Sequence, residues 1–374
     1  MWSRALAAAV LISSVSADYD VSFLVTREVR GAIFPVDQYG TECSLARVSQ
    51  GDCGCFGGAA RRATIINSAT SVLGGTSDHN TITVEAGAYF AGSGTFFAAF
   101  DGNASAHFFA AAAYDAYSIN FRDISTPNMH GLASYLSHVR ALAPSTWKPA
   151  VITNYNRTGD ALLGDFIQEY ELLPLSNGRT LAILGLADPT HLYSTAPAFA
   201  ARLSDYWRSL ATTLATLRRL PSANRPDVIA VVVSAVPVTS AQIHAAGSHQ
   251  AATDAALHQL VDEAIGVDIF ILATFDTAQA APHVRYNWAG DAVLIVPARR
   301  TVGELLTWGK GIDNITARFT NEGLLVPEAS GAQVLSLSRP CALSTALSRP
   351  CAFFPVPSLP CCLERHPSRS RTCT

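Results

Sequence analysis

Apolar residues in this chain gather in short uninterrupted runs rather than in alternating patterns. Such runs indicate strands buried on both faces, because a strand with one face in water alternates apolar and polar side chains. The strongest predicted strands are residues 21–26, 179–186, 227–234 and 267–273, and shorter ones are predicted at 81–84, 150–153, 292–297 and 315–319.

Segments with helical character separate these strands. The predicted helices are residues 57–72, 96–100, 104–116, 131–142, 198–217 and 254–265. Pro197 stands at the entrance of the longest helix, where its missing N–H costs nothing. The alternation of buried strands and helices predicts an α/β fold.

Chain length and composition indicate how large a hydrophobic core this fold can have. The chain has 374 residues, of which 49% are hydrophobic and 15% charged, so it can bury the core of one large domain or two ordinary ones. The net charge of −3 argues against non-specific binding of nucleic acid. We therefore predict no nucleic-acid partner.

The first 17 residues have the pattern of a secretory signal peptide. Arg4 precedes a short apolar stretch, and Val15, Ser16 and Ala17 form a small-residue cleavage site. The alternative is a buried N-terminal helix. No later run is long enough to cross a membrane, and the C-terminus lacks the hydrophobic tail of a GPI signal. Three sequons, at Asn103, Asn156 and Asn314, agree with a secreted glycoprotein.

The eight cysteines fall into two groups. In an oxidising compartment Cys43 is expected to pair with Cys53 or Cys55; a zinc site is the alternative, but no second Cys/His pair stands nearby at ligand spacing. The other cysteines lie in a segment rich in Pro, Ser, Cys and Arg, where residues 337–342 are repeated at 347–352. Residues 320–374 are predicted to be an irregular tail, with a gene-model artefact or a cysteine-rich module as alternatives.

One segment carries a family resemblance. Residues 114–123 (YDAYSINFRD) resemble YDAMALGNHEFD, a motif of the 5′-nucleotidase and calcineurin-like metallophosphoesterase family. Further resemblances to secreted 5′-nucleotidases follow in family order at residues 55–64, 84–93, 94–115, 179–189, 227–235, 267–276 and 293–305. The resemblance implies a four-layer αββα sandwich over residues 18–319, with no counterpart of the family's C-terminal nucleotide-binding domain.

The same resemblance implies that the catalytic chemistry has been lost. The family uses two divalent metals, such as Zn²⁺ or Mn²⁺, to activate water and hold phosphate. The positions that correspond to its metal ligands are Glu28, Arg30, Ala88, Phe121, Ala235, Thr274 and Asp276. The catalytic histidine corresponds to Arg122 and its aspartate partner to Ser125. A guanidinium has no lone pair to give, so the chain is predicted to carry no metal cofactor.

The leading interpretation is a catalytically inactive, secreted 5′-nucleotidase-like protein that binds nucleotide or phosphate. Arg30 and Arg122 are the candidate anion site, because arginine matches oxyanions with two hydrogen bonds; the alternative is that they pair with Glu28 and Asp123 and fill space. A second interpretation is a metal-dependent nucleotide phosphohydrolase in which the leftover carboxylates, those of Glu28, Asp123 and Asp276, hold one weak metal. A third is an unrelated role on an old scaffold.

Overall fold

A computed structural model describes the chain at residues 18–37, 39, 41–49, 54–73, 79–91, 100, 102–125, 128–176, 178–188, 192, 196–236, 238–273, 282–297 and 311–336. The predicted signal peptide, residues 96–99 of one predicted helix, and the chain after residue 336 lie outside these ranges. Within them, no helix has the length and apolar character that a membrane span needs.

Short strands and helices alternate along most of the chain, as the apolar runs predict. The strands are β1 (Tyr19–Thr26), β2 (His79–Glu85), β3 (Ala116–Tyr117), β4 (Ala150–Val151), β5 (Ile167–Gln168), β6 (Tyr170–Pro174), β7 (Thr180–Leu186), β8 (Val228–Val233), β9 (Ile269–Leu272), β10 (His283–Tyr286), β11 (Ala292–Val296), β12 (Gly311–Phe319) and β13 (Gly331–Ser336). The helices are α1 (Leu45–Ser49), α2 (Ala59–Leu73), α3 (Asn103–Ala112), α4 (Phe121–Ser125), α5 (Asn128–Leu142), α6 (Pro197–Ala200), α7 (Tyr206–Arg219), α8 (Ser240–Ala246), α9 (His249–Glu263) and a 3-10 turn at Pro327–Ala329.

Most of the described strands belong to two sheets. The first has the order β13-β12-β1-β2-β3, with β1 parallel to β2, which is parallel to β3. The second has the order β10-β11-β9-β8-β7-β6, and its four middle strands run parallel. In such sheets the loops at the carboxyl ends of parallel strands are the usual place for ligands. The candidate site lies at these ends.

Three apolar cores hold the described elements together. Between the sheets, Phe23 and Ile315 of the first meet Ile183 and Ile271 of the second. On the outer face of the first sheet, side chains of α2, α3 and α5 form a second core. On the outer face of the second sheet, α7 and α9 complete a third. The predicted α/β class is confirmed; the four-layer arrangement stays a prediction with which these cores agree.

Two predicted helices are shorter than their composition indicated. The alanine-rich helix predicted at 104–116 ends at Ala112, where Ala113 takes a left-handed φ of 48°. Asp115 then accepts hydrogen bonds from the N–H and hydroxyl of Thr83, both at 2.8 Å, and this joins the segment to the sheet. Local helix propensity is overridden here by a tertiary contact.

The long helix predicted at 198–217 is two helices, α6 and α7. Pro197 opens α6 at its first turn, as expected. Asp205 then begins a new helix, because its carboxylate accepts a hydrogen bond from Arg208 N at 2.7 Å. The composition of the segment is helical throughout, but the N-cap at Asp205 requires extended backbone at that residue.

Edge strands were missed by the sequence pattern. β6 and β10 pair antiparallel at the two edges of the second sheet and mix polar with apolar residues, so they lack a buried run. β13 pairs with β12 inside the segment predicted to be an irregular tail. Regular structure therefore continues to Ser336, and the irregular tail does not begin at residue 320. The strand was missed because main-chain pairing forms it and its side chains show no strand pattern.

One disulfide is present among the described residues. Cys43 is bonded to Cys55, with a Cα–Cα distance of 6.1 Å, which selects one of the two predicted pairings. Both cysteines are buried, and Cys53 lies outside the described residues. The bridge closes a loop beside α1 and the start of α2.

Removal of this bridge is expected to lower the free energy of unfolding by about 3 kcal/mol. The sequence separation of 12 residues sets the entropy that the closed loop removes from the unfolded chain. Urea unfolding of the Cys43→Ser/Cys55→Ser protein measures the loss. Cys53→Ser is the matched control and should leave stability within ~0.5 kcal/mol; an equal loss in the control would show that Cys53 takes part in the bridge.

The three sequons differ in their surroundings. Asn103, at the start of α3, and Asn156 are exposed. Asn314 lies within β12, between β1 and β13, and its Oδ1 is buried. A glycan needs an exposed asparagine, so Asn103 and Asn156 remain candidates for glycosylation. Asn314 is half-buried and its Oδ1 is buried, so it is a less accessible acceptor than the other two.

Candidate functional site

Two loops at the carboxyl ends of β1 and β2 are joined by main-chain hydrogen bonds. The N–H groups of Glu28, Arg30 and Gly31 donate to the carbonyl oxygens of Gly87, Ala88 and Tyr89, at 3.0, 2.6 and 2.9 Å. These bonds depend on the backbone alone. The loop shape is therefore held whatever side chains occupy it.

Both loops contain backbone conformations that are unfavourable for ordinary residues. Glu28, Arg30 and Ala88 have φ values of 52°, 52° and 63°. Each such conformation costs roughly 1–2 kcal/mol in a residue with a Cβ atom. Gly87 has φ 110°, and a Cβ there would lie 2.9 Å from Cβ of Asn120, so glycine is required. Strain of this kind concentrates at functional sites.

Arg30 and Arg122 converge on one carboxylate. Arg30 donates from Nε and Nη2 to Glu28 Oε2, at 2.8 and 2.7 Å. The Nε atom of Arg122 lies 3.2 Å from the same oxygen. The side chain of Glu28 is 1% exposed, whereas those of Arg30 and Arg122 are 21% and 41% exposed. The carboxylate is buried beneath two guanidinium groups that reach toward solvent.

The carboxylate of Asp123 forms hydrogen bonds with backbone N–H groups and not with the arginines. Its carboxylate accepts hydrogen bonds from the N–H groups of Ala88, Phe90 and Asn120, at 2.7, 2.7 and 3.0 Å. Arg30 and Arg122 therefore pair with Glu28. The prediction that Asp123 also pairs with these arginines is wrong. Burial raises the pKa of Asp123 to about 6, although the three N–H donors lower it.

Glu85 forms a second buried polar group below these loops. It stands at the end of β2, is 1% exposed, and accepts a hydrogen bond from Gly87 N at 3.1 Å. Its other oxygen contacts the hydroxyl of Thr26, and that hydroxyl lies 2.9 Å from Tyr114 Oη. Burial raises the pKa of Glu85 to about 8. One sequence feature points to this group, a lone acidic residue at the end of an apolar strand.

The hydroxyl of Thr26 joins Glu85 to Tyr114. A threonine hydroxyl has one proton to donate, yet its oxygen contacts both Glu85 Oε2 and Tyr114 Oη. Both contacts are satisfied if the carboxyl group donates to Thr26, and equally if Tyr114 donates to Thr26 and Thr26 donates to the carboxylate. The protonated form of Glu85 is favoured by its burial, which raises its pKa.

Arg27 connects the first loop to both sheets. It donates to the carbonyl oxygen of Leu272 at the end of β9 and pairs with Asp313 of β12. The Arg27 side chain is 6% exposed and the Asp313 side chain 12% exposed. Arg27 is therefore a structural cation, distinct in its contacts from the more exposed Arg30 and Arg122.

The remaining predicted positions offer little coordinating chemistry. Ala88, Ala235 and Phe121 have no donor atom, and Ala235 is buried after β8. Thr274, Asp276 and the side chain of Ser125 lie outside what the structure describes. In the described part of the chain, no group of three or more His, Cys, Asp or Glu side chains is arranged to hold a metal. The described residues at these positions do not fit a pair of divalent ions, since Glu28 and Asp123 are both engaged by N–H donors.

Comparison with known proteins identifies the architecture. No protein-family model matches the sequence, and no curated protein sequence matches it. The structure is similar to a 5′-nucleotidase precursor from Thermus thermophilus, with a TM-score of 0.61, 18% identity, and coverage of 88% of this chain and 58% of that one. It is equally similar to an NAD nucleotidase from Haemophilus influenzae, with a TM-score of 0.61, 13% identity, and coverage of 85% and 57%.

A shorter protein gives a nearly full-length match. A calcineurin-like phosphoesterase from Bacillus subtilis matches with a TM-score of 0.52 and 16% identity, over 88% of this chain and 96% of that one. The chain spans less than two thirds of the length of the two nucleotidases. At these identities the likeness concerns the fold, and it confirms the fold that the sequence motifs implied. The chain has the fold of the 5′-nucleotidases and calcineurin-like phosphoesterases.

Proposed function

We propose that this chain is a catalytically inactive protein of the 5′-nucleotidase fold that binds a phosphate-bearing ligand, such as a nucleotide, at Arg30 and Arg122. The observation that carries the proposal is the convergence of both guanidinium groups on Glu28 Oε2. One buried carboxylate serves two cations, and both cations reach solvent.

A phosphate group fits this arrangement chemically. Arginine presents its N–H donors in a planar fork that matches two oxygens of a phosphate. Glu28 holds Arg30 through two hydrogen bonds and lies within ion-pair distance of Arg122, and this pre-orders the side chains before a ligand arrives. Phe121 supports Arg122 from the side, with the guanidinium carbon 4.9 Å from the ring centre.

Inactivity follows from the same residues. Two-metal hydrolysis needs carboxylate, imidazole and amide ligands that generate hydroxide and hold the phosphate. Arg30, Ala88, Phe121 and Arg122 supply none of these, and loss of one electrostatic stabiliser already costs ~10²–10³ in rate. Metal-dependent hydrolysis is therefore not expected from this site.

Secretion and domain organisation belong to the same proposal. The N-terminal signal pattern and the exposed sequons at Asn103 and Asn156 support export, and the Cys43–Cys55 disulfide supports an oxidising compartment. We place the phosphoesterase-like domain between residue 18 and Ser336, because β13 completes its first sheet.

Calorimetry with sulfate, phosphate and AMP tests the binding site. Sulfate is included because its charge does not change near neutral pH. We expect wild-type protein to bind at least one of these anions, and Arg30→Ala and Arg122→Ala each to weaken binding about tenfold or more, as expected for a charge-assisted hydrogen bond. Arg208→Ala, an exposed arginine on α7, is the matched control. Equal, negligible binding by wild type and variants would mean that the arginines only fill the emptied site.

Hydrolysis is tested separately with purified protein. We expect no release of phosphate from AMP, ADP or a UDP-sugar in the presence of added Zn²⁺ or Mn²⁺. Release that survives purification, depends on metal and disappears with EDTA would instead establish a phosphohydrolase with an altered site. Calorimetry reports anion binding and the phosphate assay reports hydrolysis, so the two activities are distinguished. Running the phosphate assay on Arg30→Ala as well shows whether any hydrolysis depends on Arg30.

A further inference from the structure

We propose that His107 and His138 form a binding site for a divalent transition-metal ion, such as Zn²⁺, Ni²⁺ or Cu²⁺, on the outer surface of the helical layer. His107 lies on α3 and His138 on α5, and their ring centres are 5.4 Å apart with an interplanar angle of 77°. This pair is separate from Arg30, Arg122 and the loops of the candidate anion site.

The distance between the two ring centres is compatible with chelation of one ion. An imidazole nitrogen binds zinc at ~2.0–2.1 Å, and with a tetrahedral angle at the metal two such rings have centres roughly 5 Å apart. The observed 5.4 Å is close to this value.

The helices hold the two histidines at this spacing. Ala106, next to His107, and Val139, next to His138, are buried at 0% and 2% exposure and fix the backbone on each side. Beneath the pair, the rings of Phe109 and Tyr135 pack edge to face with centres 6.3 Å apart. The two histidines thus project from a rigid helix–helix contact.

The chemistry of the site favours borderline transition metals. Neutral imidazole binds Zn²⁺, Cu²⁺ and Ni²⁺, whereas Ca²⁺ and Mg²⁺ require oxygen ligands. His107 is exposed and His138 half-buried, so water can fill the remaining coordination positions. An ion bound to both rings connects α3 to α5 and stabilises the folded chain by mass action.

The test measures Cu²⁺, Ni²⁺ and Zn²⁺ binding directly. We expect wild-type protein to show a Cu²⁺ electron paramagnetic resonance spectrum with coupling to two nitrogens, and Zn²⁺ to raise its Tm. His107→Ala and His138→Gln should each abolish the two-nitrogen signal and the rise in Tm, since one imidazole cannot chelate. His130→Ala, an exposed histidine on α5, is the matched control and should behave like wild type.

The contrary outcomes are equally clear. Binding and Tm shifts that are the same in wild type, His107→Ala and His138→Gln would overturn the proposal and assign the metal to other groups, such as the C-terminal cysteines. Absence of any shift with Zn²⁺, Ni²⁺ or Cu²⁺ in wild-type protein would overturn it as well. His107 is exposed, so its replacement leaves folding intact and keeps the comparison valid.

Discussion

Replacement of Asp123 by alanine is expected to lower the free energy of unfolding by about 4 kcal/mol. The carboxylate accepts three hydrogen bonds from backbone N–H groups, those of Ala88, Phe90 and Asn120, and all three residues are buried. A buried donor left without a partner costs ~1–3 kcal/mol, and part of this is recovered when water enters the space. The loops after β2 and β3 lose their common acceptor.

Urea unfolding of wild type, Asp123→Ala and Asp123→Asn measures this loss at pH 7. Asp123→Asn keeps one acceptor oxygen but presents an N–H₂ group to N–H donors, so its loss should be of similar size. Asp165→Ala, in which an exposed aspartate is removed, is the control and should change stability by less than ~0.5 kcal/mol. A loss below ~1 kcal/mol in both Asp123 variants would contradict the structural role of this carboxylate.

The stability of wild-type protein is expected to fall as pH rises from about 4.5 to about 8, and Glu85→Gln is expected to remove the part of this dependence that Glu85 contributes. Burial raises the pKa of Glu85 in the folded chain from 4.5 to about 8. The folded state therefore holds the proton more tightly than the unfolded state. The resulting stabilisation is fully present below pH ~4.5 and is lost as pH rises through the folded-state value.

The size of the Glu85 effect follows from the width of this window. Each pKa unit corresponds to ~1.4 kcal/mol, so the ionisation of Glu85 alone should cost wild type up to about 4 kcal/mol across it. Glutamine imitates the protonated carboxyl group, since its amide oxygen can accept from Gly87 N and its N–H₂ can donate to Thr26. The variant should equal wild type in acid and exceed it above pH 7.

Unfolding curves at a series of pH values give this comparison. Burial also raises the pKa of Asp123 and Asp268, to about 6 and about 7, so both proteins keep some dependence of the same sign. The difference between wild type and Glu85→Gln isolates Glu85. Parallel curves for the two proteins would show that Glu85 is ionised in the folded chain and that the assignment of its proton is wrong.

Sequence reasoning succeeded where a residue's environment is set by its own strand. The central strands β1, β7, β8 and β9 are continuous apolar runs because neighbours cover both faces, so their pattern suffices. The resemblance also predicted that Arg122 shares one site with Glu28 and Arg30, although Arg122 lies far from them along the chain. The position of Cys43 near Cys55 followed from their short separation.

Sequence reasoning failed where distant segments decide. From the sequence, Glu85 is only a polar residue at the end of a strand. Its burial depends on Thr26, Tyr114 and the loop after β1. The sequence suggests Asp123 as a partner for arginine. In the structure its oxygens accept hydrogen bonds from three N–H groups of two loops. Edge strands such as β13 are formed by main-chain pairing, which leaves no trace in side-chain periodicity.

The left-handed backbone at Ala88 bears on how the site could be redesigned. Alanine is a poor residue for a φ of 63°, whereas aspartate and asparagine adopt this region several times more often than most residues. A carboxylate placed at position 88 would relieve conformational strain instead of adding to it. The main-chain bonds from Glu28, Arg30 and Gly31 would hold the loop in the same shape throughout. The fold therefore offers a pre-shaped backbone onto which oxygen ligands can be introduced by side-chain replacement alone.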